Sequence, residues 1–373
     1  MTDRSSKPTM SDVSRLAGVS KMTVSRVLTR SGTVADETRN RVLQAIQQLG
    51  YVPDRGAGGL SSRRTGFIAA ILPTLTNSNF ADTAHGMTDE FRRTGYQLLI
   101  GYSLYCQDEE ERLIRSMLAR RPEAMVLTGV VHNREATRLV LEAGIPVVEI
   151  WQLTENPIDY AVGFSNRDAG RAAARHLTGL GHRRIGALGP AAEGEAQDFR
   201  GEERLAGFTT GLRDAGLPSD LVLRIGSVPL SFTEGAEAMG ILLDRAPDLE
   251  AVFAVSDLLG VGAIMECHRR GVRVPEDVAI MGFGDFEIGR QCVPSLTTIH
   301  VDARGIGREA AGIILDLLKP DSARLATGPG RVNNLGFRIV SRESTGEAGS
   351  ISPKAGAAAG KAEAHDPTGS TVR

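Results

Sequence analysis

The chain has 373 residues, 41% hydrophobic and 24% charged, with a formal net charge of −2. No stretch is long and apolar enough to form a helix that spans a bilayer. Its three cysteines, Cys106, Cys267 and Cys292, are isolated, which suits a reducing compartment rather than a disulfide framework. The near-neutral total hides an asymmetry. Residues 1–65 carry eleven Lys and Arg against five Asp and Glu, while the remainder carries 32 against 40. A basic head on an acidic body points to a polyanionic partner for the head.

In chain order, residues 9–28 read as two short helices broken by a tight turn. Thr9 or Ser11 can cap the first helix, on which Val13, Leu16 and Ala17 share one face. Gly18 allows the turn and Ser20 can cap the second helix. There Val24, Val27 and Leu28 face inward and Lys21, Met22, Ser25 and Arg26 outward. Such an exposed face at a helix N-terminus fits the DNA major groove. A plain helical hairpin inside a larger core is the alternative, and the coincident positive charge argues against it.

A third helix is expected from Asp36, with Val42, Ala45, Ile46 and Leu49 at helical spacing and Gly50 to end it. The small-residue run Gly56-Ala-Gly-Gly-Leu-Ser-Ser-Arg-Arg then reads as a linker. Expected units are a headpiece over 1–55, a hinge over 56–65, a body over 66–342 and a structureless tail over 343–373. The tail composition of Gly, Ala, Ser, Pro and Thr offers little to bury.

In the body, nine short apolar runs alternate with helical segments: Phe67–Leu72, Gln97–Gly101, Ala124–Leu127, Pro146–Ile150, Ala161–Phe164, Arg184–Leu188, Leu221–Ile225, Ala251–Val255 and Val278–Phe283. This pattern predicts an α/β class with parallel sheets covered on both faces, and about 280 residues imply two lobes. Ligands of open parallel sheets bind beyond the carboxyl ends of the strands, so a cleft between the lobes is the expected site.

No catalytic machinery is visible. Gly186-Ala-Leu-Gly-Pro falls short of a dinucleotide fingerprint, and no nucleophile elbow, phosphate loop or metal-ligand spacing occurs. No cofactor or metal is therefore expected, and the protein is expected to be neither an enzyme nor exported.

The layout resembles the lactose/galactose repressor family of bacterial transcription regulators. Met10-Ser-Asp-Val-Ser-Arg-Leu-Ala-Gly-Val-Ser-Lys-Met-Thr-Val-Ser-Arg-Val-Leu is similar to the family's headpiece motif, and Val34-Ala-Asp-Glu-Thr-Arg and Leu49-Gly-Tyr-Val-Pro continue it. Leu177-Thr-Gly-Leu-Gly-His-Arg-Arg-Ile, Arg204-Leu-Ala-Gly-Phe and Val252-Phe-Ala-Val-Ser-Asp agree further along. Ile71-Leu-Pro-Thr-Leu-Thr-Asn-Ser-Asn-Phe, Asp159-Tyr-Ala-Val-Gly-Phe-Ser-Asn and Gly282-Phe-Gly-Asp-Phe-Glu-Ile-Gly look like its gluconate-utilisation branch.

The resemblance implies a helix-turn-helix headpiece and a two-lobed body like the periplasmic binding proteins. It also implies a repressor that binds near-palindromic operator DNA as a homodimer in the cytoplasm. Lys21, Met22 and Arg26 match positions that contact bases. Thr9, Ser20, Thr23, Ser25, Thr38 and Tyr51 match positions that contact phosphates. For Thr9 and Ser20, helix capping is a compatible second role. Leu60 matches the residue that wedges into the minor groove. Relatives have a hinge helix before it, whereas Gly56, Gly58 and Gly59 here imply a hinge that orders only on DNA.

For the effector, the resemblance points to Phe80, Asn166, Arg204, Ser256 and Asp285. Arg204 suits a carboxylate, which favours a sugar acid such as gluconate or a phosphorylated derivative acting as inducer. A salt bridge to Glu202 or Glu203 is the alternative role for Arg204. Many relatives carry an Asp directly after the Gly-Tyr/Phe pair, where this chain has Gly284 and then Asp285. Gln197 and Arg200 fall on a polar loop that solvation would explain, and Asp257 resembles a packing residue. A neutral sugar, a purine or a corepressor remains the rival effector. The absence of Leu from 345–373 removes the tetramerising tail helix and favours a dimer.

Overall fold

Helical stripes at the N-terminus give way after residue 65 to strands separated by helices in the computed structural model. It describes residues 7–29, 32–52, 65–191, 194–320 and 331–346. Leu60, the hinge up to residue 64 and residues 347–373 lie outside the described residues.

The first unit has three helices: α1 (Met10–Ala17), α2 (Lys21–Thr29) and α3 (Asp36–Leu49). Thr9 and Asp12 form a capping box at α1, and Gly18 ends it at φ 65°. Ser20 Oγ accepts from Thr23 N at 3.1 Å at the start of α2. Val13, Ala17, Val24, Val27, Val42 and Ala45 form a shared core. Leu16, expected inside, is 51% exposed. The buried stripe of α1 runs through Met10, Val13 and Ala17 instead, and this short helix has only one narrow face to bury.

The body holds two parallel sheets. In the first, β1 (Phe67–Leu72), β2 (Gln97–Tyr102), β3 (Ala124–Thr128), β4 (Val147–Ile150), β5 (Tyr160–Gly163) and the late β11 (Val332–Asn334) lie in the order β11-β5-β4-β3-β1-β2. In the second, β6 (Ile185–Gly189), β7 (Val222–Arg224), β8 (Ala251–Ala254) and β9 (Ala279–Met281) lie in the order β7-β6-β8-β9. All pairings within these two sheets are parallel. All nine expected strands are present. The order reverses beside β1 and beside β6, and those two strand ends face the interlobe site.

Three strands were not expected. β10 (Thr298–His300) and β12 (Arg338–Val340) form a small antiparallel pair, and β11 joins the first sheet. Each has three residues and mixed polarity, so none carries an apolar run.

Residues 343–345, assigned above to the tail, pack into the body as a 3₁₀ turn. Ser344 Oγ donates to the Ile280 carbonyl and accepts from Thr297 N, and both Ser344 and Thr345 are fully buried.

Between β5 and β6 runs α7 (Asn166–Gly179), which packs on α8 (Phe199–Asp214). Their contact depends on glycine. A Cβ on Gly170 would lie 1.9 Å from the Arg204 carbonyl oxygen, and one on Gly207 would lie 1.9 Å from that of Arg167. The two backbones touch there, which sets where α8 presents its first turns.

Candidate functional site

The loops after β1 and β6, together with the starts of three helices, enclose a cavity between the lobes. α4 (Ser78–Phe91) contributes Asn79 and Phe80, α8 contributes Arg200 and Arg204, and α10 (Asp257–Arg269) contributes Leu258. Caps place these helix ends: Asn77 caps α4 and Ser256 caps α10. Three helix N-termini around one cavity favour a negative occupant. The cavity volume is about 40 Å³.

Arg200 and Arg204 sit one turn apart on α8, so both side chains reach the same side. Each is 7% exposed. Arg204 Nη1 donates to Asn166 Oδ1 at 2.6 Å, and Nη2 donates to Asp198 Oδ2 at 3.5 Å. Its guanidinium lies 4.1 Å from the centre of the Phe283 ring. Burial pulls its pKa down to about 10, so it remains a cation at neutral pH. Arg204 Nε is buried and makes no hydrogen bond among the described residues. Glu202 and Glu203 pair elsewhere, with Arg224 and Arg167.

Arg200 is not on a solvated loop. It is buried, donates to the Thr128 carbonyl at 3.4 Å, and lies 5.7 Å and 5.8 Å from the Phe80 and Tyr105 ring centres. Asp198, just ahead of α8, faces both guanidinium groups, with Oδ1 3.8 Å from Arg200 and beyond hydrogen-bond reach. Among the described residues, the cavity thus holds two buried cations against one carboxylate. Burial raises the Tyr105 phenol, which stays neutral.

Of the expected effector residues, Phe80, Arg204 and Ser256 line the cavity. Asn166 stands behind, accepting from Arg204 and donating to the Trp151 carbonyl at 3.0 Å. Asp285 is not brought there. The left-handed turn at Gly284 and Asp285 sends its carboxylate to Arg290, His300 and Arg342 instead. Asp257 is fully buried, as a packing residue should be, accepting from Phe286 N and Thr298 Oγ1. Sequence reasoning passed over Asp198, Tyr105 and Trp151. The spacing Asp198-x-Arg200-x-x-x-Arg204 held the available signal, because i and i+4 cations after an acidic cap share one helix face.

On the headpiece, Lys21, Met22 and Arg26 are exposed on α2, with Met22 at 64%. Thr9 and Ser20 are exposed and engaged in capping, while Thr23, Ser25, Thr38 and Tyr51 are half-buried.

Residues 9–54 match the family described as bacterial regulatory proteins, lacI family, and residues 174–345 match the periplasmic binding protein-like domain. The chain is 36% identical over 92% of its length to the HTH-type transcriptional regulator GntR of Pseudomonas aeruginosa, covering 97% of it. It belongs to the lacI family. A LacI-family regulator of Silicibacter pomeroyi has a similar structure (33% identity, TM-score 0.83, 91% of this chain and all of that one). So does the transcriptional regulator CelR in complex with cellobiose (31% identity, TM-score 0.64, 90% of this chain and 99% of that one). This lacI-family chain is therefore a DNA-binding transcriptional regulator and not an enzyme. Among the described residues, no helix is long and apolar enough to cross a membrane.

Proposed function

We propose that this regulator represses transcription by holding a near-palindromic operator as a homodimer in the cytoplasm, and releases it on binding a sugar acid, gluconate or a close derivative. The headpiece over 1–55 would read the DNA through Lys21, Met22 and Arg26. Phosphate contacts would come from Thr9, Ser20, Thr23, Ser25, Thr38 and Tyr51, and the body over 66–346 would sense the acid.

One observation carries the effector reading. Arg200 and Arg204 are both buried in the interlobe cavity against a single carboxylate among the described residues, Asp198. That leaves one positive charge unmatched, and a ligand carboxylate would supply the counter-charge. Arg204 Nε, without a protein acceptor, gives the acid a donor. The motifs at 71–80, 159–166 and 282–289 and the likeness to a GntR regulator support the same ligand. A cavity of about 40 Å³ holds only a few waters, so the acid enters when the lobes part.

A neutral sugar is the second reading, favoured by the likeness to CelR with cellobiose. It would leave the unmatched guanidinium charge buried.

Thermal shift separates the two. Gluconate at a hundred times its Kd should stabilise the protein by about 2.7 kcal/mol, and Arg204→Ala should abolish the shift. Stabilisation by cellobiose or a purine with none by gluconate would overturn the reading.

A further inference from the structure

The two cavity arginines differ in what they touch. Arg204 is held by Asn166, Asp198 and Phe283, which begin α7, precede α8 and follow β9, all around the second sheet. Arg200 reaches across the cleft. Beyond the 3.8 Å ion pair with Asp198 on its own lobe, it meets the Thr128 carbonyl at the end of β3, the Phe80 ring on α4 and the Tyr105 ring after β2, all on the first lobe.

The first lobe is shaped to receive it. Gly129 has φ +94°, and a Cβ there would lie 2.9 Å from Arg200 Nη1. Leu104 and Tyr105 both adopt left-handed backbone, at φ 51° and 63°. That turn aims the Tyr105 carbonyl at the opposite lobe, where it accepts from Gln197 N at 2.9 Å, and Cys106 and Ala196 form a bridge beside it.

We propose that Arg200 is the positioning residue that clamps the two lobes together and so couples effector binding to operator release. Arg204 anchors the acid within the second lobe. A ligand alters operator affinity only as far as it distinguishes two lobe arrangements. The interlobe contacts of Arg200 belong to one of them, so they set how far the ligand-free protein already populates that arrangement, and with it how much of the ligand's preference appears as a change in operator affinity. The coupling role rests on the sugar-acid reading above, whereas the clamp itself does not.

The Gln197 amide is a direct probe of closure, because its hydrogen bond crosses the cleft. Hydrogen exchange of the ligand-free, full-length protein should be at least about tenfold faster at Gln197 in Arg200→Met than in the wild type. Arg171→Met, which removes an exposed ion pair with Asp214 outside the cavity, should leave it unchanged. Unaltered exchange in Arg200→Met, or equal acceleration in Arg171→Met, overturns the clamp. The second arm measures operator affinity with and without saturating gluconate. The ratio should shrink at least about fivefold in Arg200→Met, and a retained ratio overturns the coupling role. If Arg200→Met does not fold, Arg200→Lys serves, because it keeps the charge and loses the planar fork that meets Thr128. A wild type indifferent to gluconate would fail the sugar-acid reading alone, since the exchange arm needs no ligand.

Discussion

Asn166 accepts a 2.6 Å hydrogen bond from Arg204 and passes its own amide hydrogen to the Trp151 carbonyl at 3.0 Å. All three residues are buried, so the amide fixes the plane in which the guanidinium meets the cavity. Asn166→Ala leaves a buried charged donor without its acceptor, at a cost of about 1–3 kcal/mol. Gluconate affinity should fall roughly tenfold for about 1.4 kcal/mol of lost positioning, with operator affinity in the absence of gluconate unchanged. Titration calorimetry on the variant checks both, and wild-type gluconate affinity would show that Asn166 does not position Arg204.

Trp151 supplies a reporter for this titration. It is the chain's one tryptophan, it lines the cavity, and it stands edge-on to Phe80 at 5.4 Å. Its emission should change with gluconate and saturate, and Arg204→Met should remove the response. A flat emission across the concentrations that shift the melting temperature would separate the ligand from this cavity.

The α7–α8 contact carries a prediction about both stability and affinity. Gly207→Ala drives a methyl group into the Arg167 carbonyl, which cannot retreat without moving a helix. The overpacking should cost about 1–3 kcal/mol in denaturant unfolding. Because α8 carries Arg204, gluconate affinity should drop with it. Wild-type values for both would mean that the helices separate without displacing the site.

His132 lies between two buried carboxylates, 2.8 Å from Glu110 and 3.5 Å from Glu149. Burial alone lowers its pKa, but the hydrogen bond to Glu110 and the nearby Glu149 carboxylate outweigh it and raise the value to about 9. The folded pKa exceeds the unfolded value of about 6.5. This stabilisation is therefore complete below about pH 6.5 and is lost as pH rises through about 9. The melting temperature should decline across that window, and His132→Gln should flatten the decline. An equal decline in the variant would assign it to other groups.

On the DNA side, Arg26→Ala should relax discrimination at one base pair per half-site by roughly 1–3 kcal/mol. Ser20→Ala should weaken all sequences alike and lower stability by about 1 kcal/mol through the lost cap. Fluorescence anisotropy with substituted operators distinguishes them, and uniform weakening by Arg26→Ala would remove it from base readout.

The parts of the fold that write themselves as periodic apolar runs were legible. Strands β1 to β9 are such runs, and Gly18 and Gly50 end their helices as expected. Strands β10 to β12 draw their pairing from distant segments, and no local pattern announces that. The site was half legible for the same reason. Arg204 stood out by resemblance, but the burial of Arg200 depends on Phe80, Tyr105 and Thr128, all more than 70 positions away. Asp285 shows the converse. A carboxylate near the right motif, on a positive-φ turn at Gly284 and Asp285, is taken up by Arg290, His300 and Arg342.

The most direct test follows operator release as gluconate is added, using labelled inverted-repeat DNA with the wild type and with Arg204→Met. The account predicts that gluconate dissociates the wild-type complex and leaves the variant bound. Release of both proteins alike, or of neither at saturating gluconate, would contradict it.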